Sequence, residues 1–458
     1  MGRSKLEPSA LWTRRVACSI GLRSLSMPRN IHQKNIAGFR VTMYNVLMNI
    51  KKREYHVSEV ADICGVSKET VRRWDNSGKL TALREDESDY RVYSMDQLLQ
   101  FDEARLFFEG GGNQKAVKPK RDYTLIELFA GAGGLALGLE RCGFKSLLLN
   151  EIDKNACATL RKNRPDWNVA EGSITEICFK QYHNKVDLLT GGFPCQAFSY
   201  AGKKLGFEDT RGTMFFEFAR CLKETNAKVF MAENVRGLLS HDNGRTLRTM
   251  IKILDELGYF VEEPRIMKAI HHRVPQKRER LIIVGIRKDL RDGQRIEWPR
   301  PTGKIFTVRD ALKAGDLFKT DVPQSVGQKY PVSKQKVMEL VPPGGYWRDL
   351  PEQIQKAYMM KSYYLGGGKT GMARRMSWDE PSLTLTTAPA QKQTERCHPE
   401  ETRPFTTREY SRIQTFPDDW VFCGNPTSVY KQIGNAVPVN LANALGLSLV
   451  KLLNQIGC

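Results

Sequence analysis

From Tyr123 onward, short apolar runs with strand character alternate with helical patterns, and this alternation limits the possible folds more than any other feature of the chain. Such alternation is typical of a doubly wound α/β domain, in which helices cover both faces of a mostly parallel sheet. The pattern extends to about Pro299. In open α/β sheets ligands bind at the carboxyl ends of the strands, so polar residues that follow the apolar runs are candidates for a functional site.

Cys195 follows one of these runs. The apolar residues Val186 to Leu189 precede the segment GGFPCQAFS, whose two glycines allow a close approach and whose Pro194 stiffens the backbone. A cysteine placed on such a loop is a candidate nucleophile. A lone cysteine is more often a small buried apolar residue, so the other strand ends decide between the two interpretations.

The first strand, Leu125 to Phe129, ends in the turn AGAGG, and the second strand ends in NEID. The turn brings backbone N–H groups and a helix start towards a bound cofactor. An acidic side chain at the end of the second strand commonly holds ribose hydroxyls, and Glu151 has that place. Because the turn has neither the third glycine of a pyrophosphate site nor a phosphate-binding lysine, S-adenosylmethionine is favoured over NAD.

Two later strands end in further polar residues. Val229 to Ala232 leads to Glu233, and the segment QKRER, with Arg278 and Arg280, precedes the strand that starts at Leu281. A cysteine, a glutamate and two arginines at successive strand ends can converge on one pocket. The alternative is that Glu233 and Arg280 form a buried ion pair with a structural role only.

Residues 55–108 have a different pattern, with apolar residues at 57, 60 and 63, a glycine turn, and a second helix that starts after Ser67. This is the pattern of a helix-turn-helix, and the alternating Tyr90 to Tyr93 fits a wing strand. The region resembles the winged helix-turn-helix of the MerR family; a small helical interaction module is the alternative. Four residues at the start of the second helix are placed to enter a major groove: Lys68, Thr70, Arg72 and Arg73.

The composition limits the partners and the compartment. A net charge of +20 and a pI of about 9.5 suit a polyanionic partner, most plausibly nucleic acid. The ten cysteines have no zinc-type spacing, and no apolar run looks long enough to span a bilayer, so we expect a cytoplasmic bacterial protein with no bound metal. The expected organisation is a disordered basic extension (1–54), the helix-turn-helix (55–108), a linker (109–122), a catalytic domain (123–299), a target-recognition domain (300–404) and a C-terminal part that returns to the catalytic domain (405–458).

The order of the motifs FAGAGG, NEID, GGFPCQAFS, ENV, QKRER and QIGNAVPV resembles the DNA cytosine-5 methyltransferase family of restriction–modification systems, over about residues 123–290 and 405–450. The resemblance implies a Rossmann-like, S-adenosylmethionine-dependent methyltransferase domain. It also implies that the Cys195 thiolate adds to carbon 6 of a flipped-out cytosine and that Glu233 acts on N3. Arg278 would then hold the base oxygen, and Arg280 would support the pocket and the thiolate.

The same resemblance implies a cofactor site and a DNA-reading surface. Its cofactor residues are Phe129, Gly131, Gly133, Glu151, Ile152, Asn435 and Val437. Ser173 stands where the family has an aspartate that contacts the adenine amino group, which puts that contact in doubt. The residues expected to read base edges or phosphates are Lys369, Arg374, Arg375, Gln391, Lys392, Gln393 and Arg396, and Thr384 to Thr387 are expected near the flipped base.

The sequence therefore predicts methylation of carbon 5 of cytosine in a specific double-stranded DNA sequence, with a cognate restriction endonuclease as functional partner. The helix-turn-helix is expected to repress transcription of its own operon or to add grip on DNA. Two alternatives stay open: an RNA cytosine-5 methyltransferase acting on transfer RNA, and a DNA-binding regulator that binds the cofactor without turnover.

Overall fold

The computed structural model describes residues 54–84, 90–110, 117–194 and 214–456. The predicted nucleophile Cys195 lies outside the described residues. The same holds for residues 1–53 of the predicted basic extension and for residues 111–116 of the predicted linker.

The N-terminal domain has the predicted helix-turn-helix. Gly65, which has a φ of 62°, caps the end of helix α1 (Val57–Cys64). Helix α2 (Lys68–Asn76) begins after Ser67, whose hydroxyl accepts a hydrogen bond from the Thr70 amide at 3.0 Å. Trp74 of α2 stacks on Phe101 at 4.5 Å between ring centroids, which joins the second helix to the domain core. The elements are β1 (Glu54–His56), α1 (Val57–Cys64), α2 (Lys68–Asn76), β2 (Leu83–Arg84), β3 (Arg91–Ser94), α3 (Met95–Leu98) and α4 (Asp102–Glu109), with a small antiparallel sheet in the order β1-β3-β2.

An eight-stranded sheet forms the centre of the catalytic region. Its strands are β4 (Tyr123–Leu128), β5 (Phe144–Glu151), β6 (Val169–Glu171), β7 (Leu188–Gly191), β8 (Val229–Val235), β9 (Tyr259–Val261), β10 (Arg265–Lys268) and β12 (Glu279–Arg287). Their order is β10-β12-β8-β7-β4-β5-β6, with β9 paired to β12. The strands from β8 to β6 in this order are parallel, whereas β12 pairs antiparallel with β8. The carboxyl ends of β4, β5, β7 and β8 therefore meet at one edge, as the alternating sequence predicts.

Helices cover both faces of this sheet. They are α5 (Gly134–Glu140), α6 (Lys154–Asn163), α7 (Met214–Thr225), α8 (Arg245–Glu256) and the C-terminal helix α14 (Val439–Gln455). Two further C-terminal helices, α12 (Thr407–Ile413) and α13 (Pro426–Asn435), pack on each other and on the region 300–404. Helix α14 packs on α5 so closely that a Cβ at Gly138 would lie 2.4 Å from the Ala442 side chain. Leucines of α14 share a core with Tyr123 and Leu125 of the first strand. The chain thus returns to its first strand, as expected.

The region 300–404 loses the alternation, as its sequence indicates. It contains the helices α9 (Val308–Leu312), α10 (Val332–Glu339) and α11 (Glu352–Met359) and the strand β13 (Ser382–Leu383). Strand β13 pairs in parallel with β11 (Gln276–Lys277) of the catalytic region. This pairing fixes the segment after β13 beside the carboxyl edge of the sheet.

One expectation from composition needs correction. The C-terminal stretch Pro426–Gln455 is long and apolar enough to cross a membrane by length and composition, although the sequence analysis expected no such run. Within the described residues, however, 72% of the most apolar window is buried in the protein. The apolar composition of this stretch is explained by its place in the core, where α14 packs on α5.

Candidate active site

A cavity of about 840 Å³ opens at the carboxyl edge of the sheet. The strand ends of β4, β5, β7 and β8 form its floor, and the segments 384–387 and 434–437 close it from the side of the C-terminal half. Seven of the eight predicted cofactor residues line it, namely Phe129, Gly131, Glu151, Ile152, Ser173, Asn435 and Val437. The geometry therefore brings together residues that lie up to 308 positions apart, from Phe129 to Val437.

Glu151 is fixed by the backbone around it. Its carboxylate accepts hydrogen bonds from the amides of Gly131 at 2.8 Å, Ile152 at 2.9 Å and Asp153 at 2.8 Å. These three donors join the turn after β4 to the end of β5 and hold the carboxylate at the cavity wall. The neighbouring Ile152 side chain is 70% exposed, so it offers an apolar surface beside the carboxylate.

The turn after β4 is built from residues with positive φ. Phe129 has a φ of 58°, Gly131 of 53° and Gly133 of 85°. Gly133 does not line the cavity, contrary to its predicted role. A Cβ at this position would lie 2.7 Å from the Leu160 side chain, so the glycine serves close packing at the start of α5, and Gly134 lines the cavity instead.

Ser173 lies on the cavity wall, but its hydroxyl is engaged locally. Its Oγ lies 2.7 Å from the Thr175 hydroxyl and accepts a hydrogen bond from the Thr175 amide at 3.3 Å. The short side chain caps the turn that follows β6. Position 173 therefore offers no carboxylate for the contact that the resemblance assigns to an aspartate.

Glu127 is a cavity residue that the sequence analysis did not select. It lies in β4 and is 2% exposed, and its Oε2 has no hydrogen-bond partner among the described residues. Burial raises the pKa of the Glu127 carboxyl well above its ordinary value, which favours the neutral form. An acidic residue inside the apolar run LIELF is the signal that could have identified it.

Glu233 and Arg280 meet at the end of the cavity that adjoins β7. Arg280 Nε lies 2.6 Å from Glu233 Oε1, and both side chains are 13% exposed. A Cβ at Gly192 would lie 2.8 Å from Glu233 Oε2, which explains the glycine beside this carboxylate. The buried Asn234 amide donates to the Phe193 carbonyl at 2.9 Å and so ties the end of β8 to the segment that leads to position 195.

Arg278 lines the cavity, but its side chain is almost wholly enclosed in the cavity wall. Its side chain is 1% exposed, and it donates to the carbonyls of Leu385 at 3.3 Å, Gly434 at 3.0 Å and Asn435 at 3.4 Å. Burial, and secondly the charge of Arg280, lowers its pKa to about 9, which leaves it cationic at neutral pH. Only Nε has no partner among the described residues. Arg278 thus joins the two cavity-closing segments to the sheet, and Arg280 is the arginine beside Glu233.

The segment Thr384 to Thr387 lines the cavity, as expected from its resemblance. Its backbone is anchored by the pairing of β11 with β13, by the Leu385 amide donating to Gln276 Oε1 at 2.9 Å, and by the Thr386 amide donating to the Tyr410 hydroxyl at 3.2 Å. A segment of the region 300–404 thereby becomes part of the catalytic cavity.

The predicted DNA-reading arginines are largely used inside the protein. Arg375 is 4% exposed and donates to the carbonyls of Val341 and Met338, both at 2.7 Å, and to the Thr402 hydroxyl at 2.9 Å. Arg396 is 5% exposed and donates to backbone carbonyls as well. For these two residues the prediction was wrong, because their guanidinium groups satisfy buried carbonyls rather than face solvent.

Of the other predicted DNA-reading residues, some are engaged within the protein and some are exposed. The Arg374 side chain is 14% exposed and lies 3.9 Å from Glu380, and the ammonium groups of Lys369 and Lys392 donate to nearby carbonyls. Gln391 and Gln393 are exposed and stay candidates for contacts with bases.

Comparisons with known proteins agree with this geometry. Residues 123–451 match the model of the C-5 cytosine-specific DNA methylase family, and residues 56–93 match the MerR family of regulatory proteins. The chain is 65% identical to the Type II methyltransferase M.Eco47II of Escherichia coli, over 90% of this chain and 98% of that one. It is 59% identical to M.PspPI of Psychrobacter sp. strain TA137, over 89% and 98% of the two chains.

A solved structure assigned to a prophage-encoded DNA modification methyltransferase of E. coli has a TM-score of 0.53 and 24% identity, over 73% of this chain and 100% of that one. At this identity the likeness establishes the fold alone. The sheet, the cavity and these matches define a methyltransferase of the α/β type. The chain belongs to the C-5 cytosine-specific DNA methylase family and is a Type II DNA (cytosine-5) methyltransferase with a MerR-like N-terminal domain.

Proposed function

We propose that this enzyme methylates a cytosine that has left the stack of a specific duplex DNA sequence, through a covalent bond between Cys195 and the base. The observation that supports this most directly is the Glu233–Arg280 pair at the end of the cavity, beside the segment that leads to Cys195. Carbon 6 and carbon 5 of a stacked cytosine are not accessible to such a site, so the base has to be flipped out.

The chemistry assigns one task to each side chain. The Cys195 thiolate adds to carbon 6 of the ring, which makes carbon 5 nucleophilic. Glu233 binds or protonates ring N3 and thereby offsets the negative charge that develops during the addition. After methylation a base removes the proton from carbon 5, and the Cys195 sulfur leaves as the electron pair returns to the ring.

The geometry favours an exchange of the roles first assigned to the two arginines. The Arg280 guanidinium lies 2.6 Å from Glu233 and is partly exposed, which suits contact with the base oxygen. Arg278 donates to three backbone carbonyls at the cavity wall, which suits a positioning role. Arg280→Lys is therefore expected to lower kcat with little change in stability, whereas Arg278→Lys should lower the melting temperature as well.

The cavity suits S-adenosylmethionine as the methyl donor. Glu151, held by three amides, is placed to accept hydrogen bonds from ribose hydroxyls, and the exposed Ile152 side chain offers an apolar surface for the adenine. Asn435 and Val437 would close the site from the opposite side. When bound, this cofactor supplies an electrophilic methyl group on a sulfonium.

The test is methyl transfer from labelled S-adenosylmethionine to plasmid DNA and, separately, to total RNA, followed by bisulfite mapping of the DNA. We expect label in DNA only, at cytosines of one short motif, and none with the Cys195→Ser variant. Label in RNA alone, or undiminished transfer by Cys195→Ser, would contradict the proposal.

We also infer a functional pairing with a restriction endonuclease of the same specificity, acting on DNA in the bacterial cytoplasm. The support is the high identity to relatives that are named Type II methyltransferases. Plasmid DNA from cells that express this enzyme should resist cleavage at the mapped motif. Binding of the MerR-like domain to the promoter of its own operon stays a prediction, to be checked by a mobility-shift assay with that promoter.

A further inference from the structure

The N-terminal domain is held against the rest of the molecule by polar contacts at its first and second helices. The Asp62 carboxylate lies 2.7 Å from Lys277 Nζ, and the Asp62 carbonyl accepts a hydrogen bond from His271 Nε2 at 3.0 Å. Lys68 at the start of α2 lies 2.7 Å from Glu380. The domain therefore contacts both the catalytic region and the region 300–404. Lys68, a predicted DNA contact, is paired within the protein.

Close backbone packing adds to these contacts. A Cβ at Gly110 would lie 2.1 Å from the Pro301 carbonyl oxygen. The backbone at the end of the N-terminal domain therefore packs directly on the backbone at Pro301, with no side chain between them. Ile305 packs against the core of the N-terminal domain, and the Phe107 ring lies 5.9 Å from the His271 ring. These contacts give the domain one defined orientation on the methyltransferase.

In this orientation the domain closes a cleft of about 760 Å³. Ser67 and Thr70, at the start of α2, lie on one wall, and Arg236 and Lys268 lie on the other. The cleft adjoins the active-site cavity, because four residues line both: Val235, Arg278, Arg280 and Thr384. A strand that occupies the cleft would therefore lie beside the end of the cavity that holds Glu233 and Arg280.

The charges of the cleft suit a polyanion. Five cationic residues line it, namely Arg236, Lys268, Lys277, Arg278 and Arg280, against two acidic ones, Asp62 and Glu279. Each acidic side chain is already paired, Asp62 with Lys277 and Glu279 with Arg236 at 2.7 Å. The Arg236 side chain is 68% exposed, so its cation remains accessible at the rim.

We propose that the helix-turn-helix domain forms one wall of the groove that holds the target duplex, and that α2 contacts the backbone of this duplex beside the cytosine being methylated. This inference rests on the proposed methylation of duplex DNA. The occupant of the cleft is the flanking strand of the substrate itself, because the cleft is cationic and adjoins the base-binding cavity. DNA contact by α2 and methylation then become one binding event rather than two.

The test uses the full-length enzyme with Arg73→Ala. Arg73 Nη2 donates to Thr70 Oγ1 at 3.3 Å, which places its cation beside a residue of the cleft wall. We expect KM for a target-containing duplex to rise roughly 3- to 10-fold with kcat unchanged, and the slope of log(kcat/KM) against log[salt] to become shallower by about 1. The matched control is Arg105→Ala, an exposed arginine of α4 in the same domain that is paired with Asp102.

A second measurement tests whether DNA binding depends on the docking of the N-terminal domain. It disturbs the contact between Lys68 and Glu380 inside the protein. Lys68→Glu and Glu380→Lys each place like charges in contact, and each should raise KM for the duplex, whereas the double variant should return it towards that of the wild type. Unchanged KM and salt dependence for Arg73→Ala would overturn the inference. So would an effect of Arg73→Ala on promoter binding alone. If the wild-type enzyme transfers no methyl group to DNA, the proposed function itself fails, and this outcome is separate from the others.

Discussion

The polar side chains at the carboxyl edge of the sheet differ from those of the region 300–404 in what they bind. At the sheet edge, Glu151, Glu233 and Arg280 lie on the wall of an open cavity and keep atoms that a ligand can reach. In the region 300–404, Arg375 and Arg396 are buried and donate to carbonyls of their own domain. Residue type alone therefore does not identify a site in a basic protein. The accessible fraction of each side chain decides whether it serves a ligand or the fold.

The largest expected effect concerns the sheet edge. Glu233→Gln removes the carboxylate that pairs with Arg280 and that we propose to act on N3, so the rate of methyl transfer should fall by roughly 10²- to 10⁴-fold. Cofactor affinity should stay near that of the wild type, because Glu233 lies at the base-binding end. Single-turnover kinetics and calorimetry with the cofactor measure the two quantities.

The matched control for this change is Glu140→Gln, which removes a carboxylate paired with Arg164 at 2.8 Å outside the active-site cavity. Its rate should equal that of the wild type. A similar loss of rate in both variants would mean that Glu233 acts through stability, and the distinction between ligand-binding and structural carboxylates would not hold.

In the region 300–404 the expected effect is on stability. Arg375→Ala leaves the carbonyls of Val341 and Met338 without their donor, which should lower the free energy of unfolding by about 2–4 kcal/mol. Denaturant unfolding followed by circular dichroism measures this change. Gln391→Ala, an exposed position, should leave stability unchanged and weaken DNA binding. If Arg375→Ala weakened DNA binding without lowering stability, Arg375 would serve the ligand. The contrast between the sheet edge and the region 300–404 would then not hold.

Buried imidazoles at the contact with the N-terminal domain predict a pH dependence. Burial lowers the pKa of His271 to about 4 and of His272 to about 3, from an ordinary value of 6.5. Between pH 6.5 and 4 the unfolded chain therefore binds more protons than the folded protein, and stability decreases as the pH falls through this range. The slope per histidine has an upper limit of about 1.4 kcal/mol per pH unit.

Unfolding free energies measured at pH 7 and at pH 5 check this expectation. His271→Gln keeps an N–H that can donate to the Asp62 carbonyl and removes one titrating group, so its stability should vary less with pH. The control is the exposed His183, because its replacement by glutamine also removes one imidazole but from outside the buried contact. An equal slope in all three proteins would show that another group titrates.

The smallest expected effect returns to the cofactor side of the cavity. Ser173→Asp restores the carboxylate that the family places near the adenine amino group, and it should tighten cofactor binding roughly 3- to 10-fold, the equivalent of about one hydrogen bond. Ser173→Ala should change the affinity little, because the hydroxyl already bonds to Thr175. Calorimetric Kd values decide this. Weaker binding by Ser173→Asp would mean that the adenine lies elsewhere.

The sequence was sufficient for the catalytic sheet because its strands are buried on both faces. The apolar runs that contain Leu125, Leu188, Val229 and Leu281 could hardly lie anywhere but in the core of an α/β domain, and all four lie in the sheet. The residues that follow them then had to meet at one edge. The start of α2 was equally predictable, because Ser67 is a local N-cap.

What the sequence did not give depends on contacts between distant segments. The carbonyl partners of Arg375 lie up to 37 positions away, and the partners of Arg278 lie 107 to 157 positions away. The sequence pattern predicted Gly133 as a cofactor residue, whereas the structure packs the Leu160 side chain against it. The docking of the N-terminal domain depends on Asp62, His271 and Glu380, whose proximity no local pattern indicates.

The return of the C-terminal helix to the first strand also sets the order in which the protein can mature during synthesis. Leucines of α14 complete the core around Tyr123, and Asn435 and Val437 supply one wall of the cavity. A ribosome releases these residues only after the whole of the region 300–404. A nascent chain thus cannot close its catalytic core until α14 has been synthesised. Premature termination anywhere before α14 should consequently yield no partly active modification enzyme.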